Sequence, residues 1–138
     1  MKYKMIDHTA DLGIEVFGST LIDLFENAAW ALSDLLTDDT GNPHPLPDTS
    51  ITVSGQDWPD LMVNWLRELL YLFTGKDMIV KSAKIVSLSE YTLTANVKYE
   101  PFLSYRHIIK NDIKAATYHQ IIVEQAGPEW KTRIIFDV

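Results

Sequence analysis

The architecture of the chain is set by residues 2–18, KYKMIDHTADLGIEVFG, in which a polar turn separates two short alternating runs. Residues 2–8 predict a first strand, and residues 12–17 predict a second strand that ends at Gly18. Alternation with a period of two is typical of strands that bury one face. The segment His8-Thr9-Ala10-Asp11 therefore places an imidazole and a carboxylate at a strand junction, where the backbone fixes their direction.

An amphipathic helix is predicted from about Thr20 to Leu36. Its apolar residues recur at helical spacing and are Leu21, Leu24, Phe25, Ala28, Leu32 and Leu35. The residues Thr20 to Asp23 resemble a capping box, with Ser19 as the rival cap. Trp30 lies on a helical face and is predicted to be in the core, whereas Glu26 is most simply a solvated residue.

A second helix is predicted after residues 37–47, which are rich in proline and predict a loop, and after a short strand at residues 51–53. It begins at Asp57-Trp58-Pro59-Asp60, which supplies a cap, an early proline and an acid in the first turn. Its apolar face consists of Leu61, Met62, Trp65, Leu66, Leu69, Leu70 and Phe73. Gly75 is a natural end for this helix.

The remaining residues predict mainly strands. Residues 78–88 and 91–99 predict two strands joined at Ser89-Glu90, and residues 101–111 predict a loop. Residues 113–124 and 130–138 predict a final hairpin around Ala126-Gly127-Pro128-Glu129. Together the elements predict an α+β fold, a two-layer sandwich in which a mostly antiparallel sheet carries two amphipathic helices on one face.

Composition narrows the class of protein. A chain of 138 residues with 46% hydrophobic content predicts a single domain over residues 1–138. No apolar run reaches the ~18 residues that a membrane span requires, so no membrane association is expected. The absence of cysteine suits the cytoplasm. The net charge of −7 argues against strong nucleic-acid binding, which depends on clustered Lys and Arg, and favours cations or a basic protein partner.

Two acidic positions are candidates for a site. Asp11 follows a strand, and the common alternative is a turn in which its side chain bonds the backbone. Asp137 and Val138 would ordinarily form a frayed end, but residues 133–136 predict a strand that holds them in the sheet. An α-carboxylate pinned beside an Asp side chain either raises a pKa or recruits a cation, and oxygen ligands favour Ca²⁺ or Mg²⁺ over Zn²⁺.

The remaining polar residues do not form a recognisable catalytic motif. His8, His44, His107 and His119 are scattered, and none pairs with another at ligand spacing. The sequence has no phosphate-binding glycine loop and no Gly-x-Ser-x-Gly nucleophile motif. In residues 114–119 small side chains separate Lys114 from His119, and a histidine in such a place is more often structural than catalytic.

Five segments, taken together and in order, resemble the archease family. They are His8-Thr9-Ala10-Asp11-Leu12-Gly13, Leu24-Phe25-Glu26-x-Ala28, Trp65-Leu66-x-Glu68-Leu69-Leu70-Tyr71, Lys114-Ala115-x-Thr117-Tyr118-His119, and Trp130 with the closing Ile135-Phe136-Asp137-Val138. They span nearly the whole chain, although Arg67 interrupts the third segment.

The resemblance implies a cytoplasmic protein that activates the tRNA-splicing RNA ligase without being a ligase or a stand-alone enzyme. It implies a divalent-metal site formed by Asp11, Asp137 and the terminal carboxylate of Val138, with Ca²⁺ as the first expectation and Mg²⁺ or Mn²⁺ as alternatives. His8, Glu26, Lys114 and His119 are then candidates for contact with the partner or with phosphate.

Two other functions remain open at this point. A stand-alone metal-dependent hydrolase would use Asp11, Asp137 and His119 and would turn over substrate without a partner. A general chaperone or modulator would act on several unrelated proteins.

Overall fold

The computed structural model describes residues 1–6, 11–39, 41 and 45–138. The elements in chain order are β1 Tyr3–Ile6, β2 Leu12–Gly18, α1 Leu21–Leu36, β3 Thr37–Asp39, β4 Asp48–Ser54, α2 Trp58–Thr74, β5 Met78–Ser89, β6 Thr92–Pro101, β7 His107–Ile109, β8 Ala115–Ala116, β9 Ile122–Ala126 and β10 Glu129–Asp137. The predicted α+β class is confirmed.

Both helices begin where the sequence predicted. The Thr20 hydroxyl accepts the backbone N–H of Asp23 at 3.0 Å, and the Asp23 carboxylate accepts the backbone N–H of Ser19 at 2.8 Å. The Asp57 carboxylate likewise accepts the backbone N–H of Asp60 at 2.8 Å. These bonds satisfy helix N–H groups that have no partner inside the helix, which is why Thr20 and Asp57 mark the two starts.

Within the part of the chain that the structure describes, the strands form three sheets, and their pairings are antiparallel. The first has the order β1-β2-β10-β8, with β9 also paired to β10. The second has the order β4-β6-β5, and β3 pairs with β7 in a two-stranded ribbon. Strand β10 is central to the first sheet because β2 pairs along one side of it while β9 and then β8 share the other.

The helices lie against both larger sheets and against each other. Helix α1 contacts β2 and β5, and α2 contacts β4, β5, β8 and β9. The fully buried Trp65 donates its indole N–H to the backbone oxygen of Phe25 at 3.0 Å, which joins the two helices inside the core. Gly18 allows the close approach at the start of α1, because a Cβ there would lie 2.7 Å from the Cα of Leu24.

Three expectations for local structure are wrong. Residues 37–39 and 107–109, predicted as parts of loops, form the β3–β7 ribbon, whose partners are too far apart in sequence for a local pattern to show. Residues 113–124 do not form one strand, because the chain turns between β8 and β9 and Gln120 adopts a positive φ of 55°. Trp30 is 45% exposed and is not a core residue, since it faces away from the packed side of α1.

Candidate functional site

Asp11 immediately precedes β2 and Asp137 is the last residue of β10, so both lie at the same end of the first sheet. Phe136 of β10 pairs with Leu12 of β2, and Ile135 pairs with Gly13. Because the strands are antiparallel, Asp137 and Asp11 are the next residues along each strand beyond the Phe136–Leu12 pair. Side chains alternate between faces, so both acids belong to the face that carries Gly13 and Ile135.

The end of β10 is held on its other side by β8. Asp137 pairs with Ala115, and the Lys114 N–H donates to the backbone oxygen of Asp137 at 2.8 Å. The Thr117 hydroxyl and N–H both donate to the backbone oxygen of Ile135, at 2.7 and 3.1 Å. The last residues of β10 are therefore fixed by hydrogen bonds, as expected from the strand pattern of residues 133–136.

The acidic tip is defined here as Asp11, Asp137 and Val138, and it is open to solvent. Asp137 is exposed, Val138 is 43% exposed and Asp11 is half-buried. Carboxylates on adjacent strands at a solvent-facing end offer hard oxygen ligands with room for water or for a partner's groups.

The other predicted contact residues are not all brought to this tip. Lys114 lies beside it through its backbone bond to Asp137 and has an exposed side chain. His119 is exposed and follows Lys114 in the same segment, where its N–H donates to the Thr117 hydroxyl at 3.3 Å. Glu26 lies on α1, where its carboxylate accepts the Ile85 N–H at 2.8 Å and so supports β5. His8 lies outside the described residues.

A second group of titratable side chains, which the sequence did not predict, joins the β3–β7 ribbon to the second sheet. Asp39, Glu100 and His107 place one ligand atom each within 4.8 Å of one another. Arg106 forms two bonds to Asp39, from Nε at 2.9 Å and from Nη2 at 3.2 Å. Lys81 Nζ lies 3.1 Å from Asp39 and 3.8 Å from Glu100. We call these five residues the ribbon network.

The charges of the ribbon network balance without a metal. The Arg106 guanidinium is the main reason that the pKa of Asp39 lies well below its usual range, with further lowering from the Gly41 N–H and Lys81. The Leu103 N–H donates to His107 Nδ1 at 2.9 Å, which assigns the proton to Nε2, 3.0 Å from Glu100. Two carboxylates face two cations, and the imidazole donates, so this arrangement fits a structural ion-pair network and not a metal centre.

A depression of about 340 Å³ lies between α1 and β5 and is lined by residues that include Asp23, Glu26, Trp30, Lys2 and Lys81. The Lys2 ammonium sits 4.6 Å from the centroid of the Trp30 ring. The lining carries charges of both signs, so it does not select a ligand of either sign. No helix among the described residues is long and apolar enough to cross a membrane.

Over the described residues, these features define a small α+β protein in which two packed helices lie against antiparallel sheets. The sequence pattern of the Archease protein family (MTH1598/TM1083) matches residues 3–138. The chain belongs to the archease family.

Individual relatives agree over the whole chain. The chain is 33% identical to "Protein archease" of Archaeoglobus fulgidus, with 100% of both chains covered. It is 31% identical to "Protein archease" of Methanosarcina acetivorans, with 99% of this chain and 96% of that one covered.

Solved structures show the same fold. Protein 1598 of Methanobacterium thermoautotrophicum superposes with a TM-score of 0.81 at 26% identity, and the match covers 99% of each chain. A Thermotoga maritima protein described as an archease and possible chaperone gives a TM-score of 0.63 at 22% identity, covering 98% of this chain and 96% of that one.

Proposed function

We propose that this protein activates the tRNA-splicing RNA ligase in the cytoplasm, promoting guanylylation of the ligase and repeated turnover. The observation that supports this most directly is the β2–β10 register. Its last pair, Phe136 with Leu12, leaves the acid of the His-Thr-Ala-Asp motif and the acid at the end of β10 at the same end of the sheet. In this proposal the protein is an activator and performs no stand-alone catalysis.

The acidic tip would hold a divalent cation through the side chains of Asp11 and Asp137 and the terminal carboxylate of Val138. Three carboxylates form an all-oxygen donor set, which suits Ca²⁺ first, with Mg²⁺ or Mn²⁺ as alternatives. A cation held there would stabilise charge at the nucleotide phosphates in the ligase active site. The exposed side chains of Lys114, which adjoins the end of β10, and of His119, which follows in the same segment, would contact phosphate or the ligase. His8 and Glu26 are further contact candidates.

The direct test is multiple-turnover RNA ligation by the cognate ligase with and without this protein. Asp11→Ala and Asp137→Ala should reduce stimulation to the basal rate of the ligase. Glu129→Ala is a matched control, since it removes an exposed acid at the opposite end of β10. Full stimulation by either tip variant would overturn the proposal, and so would turnover of RNA ends by this protein alone.

A general chaperone is the alternative favoured by a specific observation, because the Thermotoga maritima relative is described as a possible chaperone. A chaperone would raise the refolding yield of unrelated proteins and would not depend on Asp11 or Asp137. Refolding of two unrelated client proteins in the presence of the wild type and of Asp137→Ala separates the two functions.

A further inference from the structure

Side chains on one face of α2 contact β8 and the residues that follow it, up to Tyr118. Arg67 Nε donates to the backbone oxygen of Ala116 at 3.1 Å. The Arg67 guanidinium carbon also lies 4.8 Å from the centroid of the Tyr118 ring. The Tyr118 hydroxyl donates to Asp60 at 2.6 Å. Asp60 and Arg67 are seven residues apart, about two helical turns, so they present these groups from the same side of α2. We call Asp60, Arg67 and Tyr118 the α2 clamp.

The hydrogen bond between Tyr118 and Asp60 is maintained at neutral pH. Donation from the Tyr118 hydroxyl lowers the pKa of Asp60, and the same bond raises the pKa of Tyr118. Both shifts keep the carboxylate ionised and the phenol protonated across the physiological range. Asp60 is itself fixed, because it accepts the Gln56 N–H at 2.8 Å.

Strand β8 is short and is held from two sides. It consists of Ala115 and Ala116 alone. On the β10 side, Ala115 pairs with Asp137, Ala116 pairs with Phe136, and Lys114 bonds the backbone of Asp137. On the α2 side, the buried Ala116 is tied to the helix by Arg67. Arg67 therefore contributes to the position of the strand that borders the last residues of β10.

We propose that Arg67 is a positioning residue for the cation site at the acidic tip, acting through β8. Its side chain contacts Ala116 and Tyr118. By tying the Ala116 carbonyl to α2, it would help to keep β8 against β10 and so to orient the Asp137 carboxylate toward a bound cation. This inference rests on the proposed cation site.

Because Arg67 is positively charged, its removal affects Ca²⁺ affinity in opposite directions through electrostatics and through positioning. Removing a cation from the protein should, by Coulomb attraction alone, leave Ca²⁺ affinity unchanged or slightly stronger. If Arg67 positions the site, its loss should instead weaken Ca²⁺ binding. Groups that hydrogen-bond to metal ligands typically contribute 10- to 100-fold in metal affinity. Because Arg67 acts one step further away, we expect Arg67→Ala to weaken Ca²⁺ binding about threefold to tenfold.

Lys110→Ala is the matched control for isothermal titration with CaCl₂. Lys110 also donates to a backbone oxygen, that of Asp34, at 2.8 Å, and its removal also deletes one positive charge. Lys110 follows β7, and its bond is to α1 and not to the β8 segment. Its Ca²⁺ affinity should equal or slightly exceed that of the wild type.

Two further variants separate positioning from simple loss of structure. Arg67→Lys keeps the charge but lacks the planar group that both bonds the carbonyl and stacks on Tyr118, so it should recover only part of the affinity. Tyr118→Phe keeps the ring and removes the bond to Asp60, so its loss should be smaller than that of Arg67→Ala. Amide exchange measured without Ca²⁺ should accelerate at Lys114 and Thr117 in Arg67→Ala while core amides of α1 stay protected.

The outcomes distinguish this inference from the proposed function. If Asp137→Asn binds Ca²⁺ as tightly as the wild type, the proposed cation site is wrong, and the proposed role of Arg67 is then wrong as well. If Asp137→Asn loses binding but Arg67→Ala matches Lys110→Ala, the cation site stands and the positioning role of Arg67 is wrong.

Discussion

The ribbon network and the acidic tip both concentrate carboxylates, but they differ in what surrounds those carboxylates. In the ribbon network, Asp39 and Glu100 have side chains that are 15% and 5% exposed, and Arg106 and Lys81 lie against them. At the tip, Asp137 is exposed, and within the described residues it has no ion pair. The β2–β10 register ends at the Phe136–Leu12 pair, and another acid, Asp11, lies just beyond Leu12 at the same sheet end.

The number of acids near one another therefore does not identify a metal site. Buried carboxylates require cations or donors to remain ionised, and in the ribbon network the protein supplies them. At the proposed cation site, repulsion between neighbouring carboxylates would instead favour an added cation. The ribbon network should therefore contribute to folding, and the tip to binding.

The largest expected effect is the loss of stability in Glu100→Ala. The substitution leaves the buried His107 Nε2–H without its acceptor and removes a buried carboxylate that faces Lys81 and Arg106. Breaking such a buried group typically costs about 3–5 kcal/mol. Urea unfolding followed by circular dichroism measures the change, with Glu129→Ala as the exposed-acid control. A loss below about 1 kcal/mol would show that the network is not a structural element.

The next effect is stabilisation of the wild type by Ca²⁺. At a free concentration 100 times the dissociation constant, a ligand that binds only the folded state adds about 2.7 kcal/mol to the free energy of unfolding. Asp137→Asn should lose this gain, and Asp39→Asn should keep it. If Ca²⁺ stabilises Asp137→Asn as much as the wild type, the ion binds elsewhere.

A smaller, pH-dependent effect is expected for Asp39→Asn. The pKa of Asp39 is lowered in the folded state, so its contribution is present above its unfolded pKa of about 4 and is lost as the pH falls toward the folded value. At pH 7 the variant should be less stable by about 2 kcal/mol, the range of a charged hydrogen bond. This difference should shrink steadily below pH 4 in urea titrations at each pH. A difference that grows on acidification would contradict the assignment.

The smallest effect should be that of Asp137→Asn on stability in the presence of a chelator. Exposed substitutions generally change stability by less than about 0.5 kcal/mol, and removing a like charge beside Asp11 should act in the stabilising direction. A clear loss of stability without any divalent cation would mean that Asp137 has a structural role similar to that of Glu100.

Local signals in the sequence were enough to predict many of the elements. Helical spacing and the caps at Thr20 and Asp57 located both helices, period-two alternation located β2 and β6, and the apolar run before the C-terminus located β10. The hairpin turn between Ala126 and Glu129 also follows from adjacent residues, with Gly127 at a positive φ of 65°. The resemblance to the archease family also implied Asp11 and Asp137 as a pair of ligands, although nothing in their spacing places them together, and this stays a prediction.

Pairings between distant residues could be read from the three-dimensional structure alone. The β3–β7 ribbon joins segments about 70 residues apart, and its ion pairs form between side chains that no local pattern connects. The same holds for the α2 clamp, in which Arg67 reaches Ala116 and Tyr118. The physical reason is that a periodic pattern reports which face of an element is buried, whereas the partner of that face is chosen by packing of the whole chain.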